Sequence, residues 1–235
     1  MNKKTILAFT IVFCMVMMLP NVAQAKKSHL TKADHVTLTF YDGSKISGYL
    51  YEHWYRGIYY SGRQNYKFSV VPSVNSSKKE KDEYTVNDVM AIDFDSISAG
   101  DTHWRACKVA QFDYEKLMQL LEKFTYRYMC VVASDSAATI FKCNVVLKAP
   151  VGDNECYETT QYGVMMHGNP IVYPIVTDGK MDLEAMYHHL KSGKNSRFIR
   201  FMKDHFKSKV NCAEVERDPS LFLNVYQDYL TSLRQ

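Results

Sequence analysis

Alternation of apolar and polar residues runs through the first third of the chain and predicts β-strands. Val36, Leu38 and Phe40 alternate with threonines, and a turn at residues 42–44 leads into a second alternating segment. A glycine in this turn tolerates the positive φ that a tight reversal requires. Further apolar and aromatic segments follow, so residues 26–97 are predicted to form a small β-barrel domain.

The periodicity changes in the remainder of the chain, residues 98–235. Residues 98–111 are interpreted as a linker, and apolar residues three and four apart in residues 112–124 predict a helix. Alternating segments separated by turn residues predict two hairpins within residues 126–176, and apolar stripes at helical spacing fill residues 182–234. The predicted fold class is α+β: a small N-terminal β-barrel, followed by an antiparallel β-meander packed with C-terminal helices.

Residues 1–25 have the three parts of a secretory signal peptide. Lys3 and Lys4 form a short positive region, an apolar run extends from Ile6 to Leu19, and residues 23–25 supply the small side chains of a cleavage site. This run is shorter than the about 20 residues of a membrane-spanning helix. We therefore expect an exported protein, located in the periplasm, on the outer surface or in the medium, with no transmembrane helix in the mature chain. The alternative is an uncleaved N-terminal anchor.

One strand–turn–strand segment carries a recognisable pattern, Val36-x-Leu38-x-x-x-Asp42-Gly43-Ser44-x-Ile46-x-Gly48-x-Leu50. It resembles the opening of SH3-like and Sm-like small barrels, and also the start of many uncharacterised exported proteins of anaerobic Gram-negative bacteria. The resemblance extends over residues 36–95 and implies a small barrel. Sm proteins bind RNA partly through an Arg-Gly pair in a second motif. Residues 86–92 lack that pair, so the resemblance does not imply RNA binding.

Charge and composition narrow the class of partner. The formal net charge is +4, and it falls to +2 if Lys3 and Lys4 leave with a signal peptide. A nearly neutral chain lacks the basic excess of a dedicated nucleic-acid binder. The 17 tyrosines and 12 phenylalanines suit strands and also interfaces. The expected partner is therefore an envelope protein or a glycan rather than a nucleic acid.

Two surfaces are candidates for binding. Trp54, Tyr55 and Tyr60 belong to a dense aromatic segment, and exposed aromatic rings bind sugars, peptides or proteins. The alternative is that these rings pack against the second domain. A predicted C-terminal helix carries three basic side chains that share one face: Arg200, Lys203 and Lys207. Such a face suits an anionic membrane surface or an acidic polysaccharide, and the alternative is an ordinary solvated helix face.

Recognisable motifs for catalysis are absent from the sequence. The candidate catalytic residues are Cys107, whose pKa Arg105 would lower, and His167 or His188 as a base brought close by the fold. The alternative is a buried, inert cysteine. Glu184 and His188 lie on one face of a predicted helix, but two side chains are too few ligands for a metal site. Neither a metal nor a cofactor is therefore predicted. The sequence favours a protein that is not an enzyme.

Cysteines and two short motifs suggest covalent modification after export. Cys130 and Cys143 lie on two predicted hairpin strands and are the candidate disulfide, with two buried free thiols as the alternative. The tripeptides Asp-Ser-Ile at 95–97 and Asp-Ser-Ala at 135–137 resemble a signal at which some anaerobic Gram-negative bacteria O-glycosylate exported proteins. Ser96 and Ser136 are therefore candidate glycosylation sites.

These features predict an exported, non-catalytic interaction module of the cell envelope. Two alternatives stay open. One is an exported hydrolase or thiol enzyme without a recognisable motif, which selective labelling of a cysteine would favour. The other is a membrane-surface accessory protein that uses the basic helix, which affinity for anionic lipid would favour.

Overall fold

The computed structural model describes residues 35–51, 58, 67–95, 102–111, 123–148, 156–191 and 195–234. The predicted signal peptide and four of the predicted site residues lie outside the described residues: Trp54, Tyr55, Tyr60 and Ser96. In the described part, strands occupy the chain up to residue 181 and helices follow, so the protein is mixed α+β.

The strands of the described residues form one hydrogen-bonded sheet. They are β1 His35–Phe40, β2 Lys45–Leu50, β3 Phe68–Val71, β4 Asp82–Tyr84, β5 Val89–Phe94, β6 His103–Gln111, β7 Lys123–Ser134, β8 Ala138–Lys148, β9 Cys156–Met166, β10 Ile171–Thr177 and β11 Lys180–Met181. Their order is β11-β10-β9-β8-β7-β6-β5-β1-β2-β3-β4, and an additional pairing joins β10 to β6. That pairing closes β6 to β10 into a small five-strand barrel.

Strand β6 belongs to both parts of the sheet. One of its edges pairs with β7. The other edge pairs with β5 around Trp104 and, further along, with β10 in parallel orientation at Lys108 and Val109. The closed barrel is therefore formed by strands that follow residue 102, and the predicted N-terminal placement of the barrel is not confirmed. Residues 103–111 are this shared strand rather than part of a linker, and Phe124 lies in β7 rather than in the predicted helix.

The barrel buries side chains on both of its faces. Its interior is filled by a cluster to which all five strands contribute: Cys107, Val109, Met129, Phe141, Cys143, Val145 and Val172, with Met165 packed against them. Outside the barrel, Trp104 and Tyr128 join the core under β1 to β5. On its other side, strands β8 to β10 pack against the C-terminal helices in a third cluster. The predicted domain boundary at 97/98 falls between β5 and β6. These two strands are hydrogen-bonded to each other and contribute to the same core.

Glycine at position 163 allows β9 and β10 to approach closely. A Cβ atom at Gly163 would lie 2.6 Å from Cγ1 of Val172 and 3.1 Å from the carbonyl oxygen of Tyr173. Both distances are shorter than an ordinary van der Waals contact. Gly163 pairs with Pro174 next to a register shift in β10, where the missing N–H of proline is tolerated.

The helices of the described C-terminal residues are α1 Glu184–His189, α2 Ser196–His205, α3 Lys209–Arg217 and α4 Phe222–Ser232. Their buried residues complete the cluster over β8 to β10. Asp218 caps the turn before α4, because its carboxylate accepts the N–H of Ser220 and Pro219 occupies the first turn. Across the described residues, no helix combines the length and apolar character that a membrane crossing requires.

Candidate functional site

An open cleft lies beside the turn between β1 and β2. Its volume is about 560 Å³. The β1–β2 turn forms one wall, and β4 with the turn before β5 forms the other. The lining residues combine aromatic rings with carboxylates: Phe40, Tyr41, Asp42, Ser44, Glu83, Tyr84, Asn87 and Asp88.

The aromatic rings of the cleft are held in place by neighbouring groups. The hydroxyl of Tyr41 donates to the carbonyl of Val86 at 3.0 Å, although the side chain is 54% exposed. The rings of Phe40 and Tyr84 meet edge to face at 5.5 Å, and the Tyr84 ring also contacts Phe68 at 5.9 Å. The cleft therefore presents preorganised aromatic surface, which lowers the entropy that binding costs.

Two carboxylates of the cleft are fixed by hydrogen bonds from the backbone and from hydroxyls. Asp42 accepts the hydroxyl of Ser44 at 2.6 Å and its N–H at 2.9 Å, and these bonds hold the pKa of Asp42 below its usual range. Asp88 accepts the N–H and the hydroxyl of Thr85, each at 2.7 Å. These bonds fix the orientation of the Asp88 carboxylate beside the cleft.

The third carboxylate belongs to Glu83. Lys81 donates to it at 2.5 Å and Lys67 at 3.3 Å, and these contacts lower the pKa of Glu83. Burial raises the pKa of Tyr84, with a smaller contribution from nearby Asp82. At neutral pH the cleft therefore offers ionised carboxylates beside neutral phenols, a combination that suits cationic groups and hydroxyl-rich ligands.

A second polar cluster lies where β1, β5 and β6 meet. Asp93 accepts from Arg105 at 2.7 Å and is hydrogen-bonded to the His103 ring at 2.9 Å, and His35 contacts Asp95. Burial disfavours the charge of Asp93, but the bonds from Arg105 and His103 outweigh it and lower the pKa of Asp93. These pairs tie the edge of the barrel to the N-terminal strands.

Cys107, the predicted nucleophile, faces the barrel interior. Its thiol donates to the carbonyl of Arg105 at 3.4 Å, and burial raises the pKa of Cys107 to about 12, with a further contribution from Cys143. Arg105 opposes this increase, but its guanidinium is bound to Asp93. A thiol with such a pKa is protonated at neutral pH and is a poor nucleophile.

The two histidines predicted as bases have other contacts. His167 lies at the end of β9, where its Nδ1 is 3.0 Å from the carbonyl oxygen of Ser136 and its Nε2 is 3.3 Å from Oγ1 of Thr139. His188 lies on α1, and its ring centroid is 5.8 Å from that of His189. The geometry thus provides no support for a Cys–His dyad.

Cys130 and Cys143 do not form the predicted disulfide. In the β7–β8 pairing Cys130 is opposite Lys142, so Cys143 points to the other face of the sheet. Cys130 lies in the outer core and Cys143 in the barrel interior, so the two sulfur atoms lie on opposite sides of the sheet. A shift of one residue in strand register moves a side chain to the other face of the sheet. The sequence predicted the hairpin but not its exact register.

The predicted basic surface is exposed on and just after α2. Arg200, Lys203 and Lys207 all face solvent. Lys207 donates to Asp204 at 2.5 Å, and the ammonium of Lys203 lies 5.3 Å from the ring centroid of Tyr187. The opposite face of α2 is buried, so the basic side chains form one surface.

Ser136 is exposed at the tip of the β7–β8 hairpin. The neighbouring Asp135 accepts the N–H groups of Ala137 and Ala138 at 2.7 and 2.8 Å, and it also accepts from the amide of Gln227 at 3.0 Å. The carboxylate therefore orders the turn and links it to α4. O-glycosylation of Ser136 stays a prediction.

Comparisons with other proteins do not place this architecture in a known group. Protein families, curated proteins and solved structures yield no match for the chain. Within the described ranges, no three His, Cys, Asp or Glu side chains converge to hold a metal ion. The class that the structure defines is a mixed α+β protein with a closed five-strand barrel and C-terminal helices.

Proposed function

We propose that the chain is an exported, non-catalytic interaction module of the cell envelope, and that the cleft beside Tyr41 is its binding surface. The observation that carries this proposal is the exposure of an ordered Tyr41 ring beside ionised carboxylates. The signal-peptide pattern of the first 25 residues supports export. The raised pKa of Cys107 weakens the alternative of a thiol enzyme.

The chemistry of the cleft favours an envelope protein or a glycan as its ligand. Tyrosine rings stack on the apolar faces of sugars and attract the cationic ends of lysine or arginine side chains. The carboxylates of Asp42 and Asp88 would accept hydrogen bonds from hydroxyl or ammonium groups. The same carboxylates would repel the phosphates of a nucleic acid, which is consistent with the near-neutral charge of the chain.

Replacing Tyr41 with alanine is expected to reduce capture of the partner strongly. Tagged chain comprising residues 26–235 would be incubated with an envelope extract of its source, and bound material identified by mass spectrometry and glycan analysis. We expect a stoichiometric ligand on the unchanged protein and at least about tenfold less on Tyr41→Ala, the loss typical of a central aromatic contact.

The matched control is Tyr157→Ala, which removes another exposed tyrosine whose hydroxyl donates to Asp178 at 3.0 Å. It should capture as much ligand as the unchanged protein. Equal capture by both variants would show that the cleft is not the binding surface. Thermal unfolding of Tyr41→Ala checks that any loss of capture does not arise from misfolding.

The basic surface of α2 supports a second candidate function, that of a membrane-surface accessory protein. We expect co-sedimentation with phosphatidylserine-containing vesicles and not with phosphatidylcholine vesicles. Binding should fall as the ionic strength rises from about 0.1 M to about 1 M, because the Debye length falls from about 10 Å to about 3 Å. The double variant Arg200→Glu/Lys203→Glu should not bind.

A control variant with the same change in charge tests whether vesicle binding depends on the α2 surface or only on the net charge of the protein. Lys180→Glu/Arg217→Glu replaces two exposed basic residues outside the α2 surface. It should retain binding to anionic vesicles. Loss of binding by both double variants would indicate that only the total charge matters, and binding that ignores salt would exclude the electrostatic role.

We also infer that β1 to β5 form an SH3-like or Sm-like module. In the described residues β1 to β4 follow one another as an antiparallel meander, and β5 returns to pair with β1 on its other side. The turn at Asp42-Gly43-Ser44 connects β1 to β2, and the positive φ of 83° at Gly43 supports the inference. The cleft is therefore assigned to the hairpin that carries the resemblance.

A further inference from the structure

Arg127 of β7 faces the apolar interior of the barrel. In the β6–β7 pairing it lies directly opposite Cys107, which belongs to the interior cluster, whereas the next residue, Tyr128, belongs to the outer core. The side chain of Arg127 is half-buried. An arginine thus extends among valine, methionine, phenylalanine and cysteine side chains, where a charge is normally paired.

The guanidinium of Arg127 has little compensation for its charge. One Nη atom lies 3.7 Å from the sulfur of Cys143, and the buried Nε has no hydrogen-bond partner. Burial raises the pKa of Cys143 despite the nearby guanidinium, so the thiol is a neutral and weak acceptor. In the part of the chain that the structure describes, the ion pairs of the carboxylates are made with other cations, and Asp93 in particular binds Arg105.

An unpaired guanidinium in this position is suited to an external anion. Its planar group offers N–H donors in a fixed fork that matches the two oxygens of a carboxylate or of a phosphate. Removal from water strengthens such a contact, and an uncompensated buried charge destabilises the protein that holds it.

We propose that Arg127 is an anion-binding residue on the inward face of β7, which takes a small molecule with a carboxylate or phosphate group. The partial exposure of the side chain gives the anion access from solvent. This site differs from the cleft at Tyr41 in the sign of its charge, because it offers a guanidinium where the cleft offers carboxylates.

Three probes distinguish the classes of anion: inorganic phosphate, acetate and decanoate. Affinity would be measured by calorimetry and by the shift of the unfolding temperature in a buffer of low anion content. We expect the unchanged protein to bind at least one probe. Tighter binding of decanoate than of acetate would indicate a fatty carboxylate, and preference for phosphate would indicate a phosphorylated ligand. Arg127→Met should bind at least about tenfold more weakly, and Arg127→Lys, which keeps the charge without the fork, should also lose affinity.

The sign of the stability change separates ligand binding from a structural role. Without added anion, Arg127→Met should unfold at the same temperature as the unchanged protein or at a higher one, because it removes an uncompensated charge. With a bound probe the order should reverse, because only the unchanged protein gains stability from the ligand. Arg217→Met, which removes an exposed arginine of α3, should respond to the probes as the unchanged protein does.

Two results would overturn the proposal. One is that none of the three probes stabilises the unchanged protein. The other is that Arg127→Met is destabilised by the same amount with and without probe, which would make the arginine structural. If Arg127→Met does not fold, Arg127→Lys and the NMR signal of the Arg127 Nε–H group in the unchanged protein decide the question, since that signal must shift when the anion binds.

Discussion

Replacing Tyr128 with alanine is expected to lower the free energy of unfolding by about 3–5 kcal/mol, the range found for loss of a buried aromatic side chain. Tyr128 is 0% exposed, and its ring meets that of Phe68 edge to face at 5.9 Å. Its hydroxyl donates to the carbonyls of Thr85 at 3.0 Å and of Val89 at 2.9 Å. One side chain of the barrel thus packs into the core of the N-terminal strands and bonds to their backbone.

Two further variants test how much of this stability comes from the ring of Tyr128 and how much from its hydroxyl. Tyr128→Phe keeps the packing but leaves both carbonyls without this donor, so we expect a loss of about 1–3 kcal/mol. Tyr126→Ala removes a tyrosine that is 51% exposed on the same strand, and it should change stability by only about 0.5 kcal/mol. Urea denaturation measures all three. If Tyr128→Ala costs no more than Tyr126→Ala, Tyr128 does not hold the two parts together.

Gly163→Ala is expected to destabilise the protein by about 1–3 kcal/mol, the usual cost of forcing an extra methyl group into a packed core. The added Cβ would lie 2.6 Å from Cγ1 of Val172 and 3.1 Å from the backbone oxygen of Tyr173. A rotation of Val172 relieves the first contact but not the second, so β10 must shift. The shift acts on the strand that closes the barrel against β6.

A double-mutant cycle with Val172→Ala tests this explanation. Val172→Ala alone opens a cavity in the barrel interior and should cost on the order of 2 kcal/mol. In the double variant the new methyl group of residue 163 occupies part of that space. The combined loss should therefore be smaller than the sum of the single losses by about 0.5–3 kcal/mol. If the two losses of stability are strictly additive, contact with Val172 is not the reason why alanine is unfavourable at position 163.

Local patterns predicted the strands and hairpins better than their assembly. Alternation predicted β1 and β2, and the two predicted hairpins coincide with the β7–β8 and β9–β10 pairs. The strand at 103–111 escaped prediction because it is buried on both faces: Trp104 belongs to the outer core while Cys107 and Val109 fill the interior. A strand with two buried faces loses the alternation by which it is recognised.

The candidate sites were less predictable than the strands. The turn at Asp42 was evident, but the cleft also needs residues 83–88, and only the three-dimensional pairing brings these two segments together. Proximity in sequence suggested that Arg105 would lower the pKa of Cys107. Burial has the larger effect, and Arg105 forms its ion pair with Asp93. No sequence pattern identified Arg127 as a candidate site residue, because its position in the barrel depends on which face of β7 points inward.

The shared strand β6 also bears on the order of events in folding. Its pairing with β10 joins Lys108 to Ile171, residues far apart in the chain, and this contact forms only after both intervening hairpins have been synthesised. Closing so long a loop is entropically costly and slow compared with forming a hairpin. In a nascent chain that ends before β10, the edge of β6 around Lys108 and Val109 is unpaired, and such an edge is open to pairing with another chain. Closure of the barrel thus removes this edge of β6 from pairing with another chain.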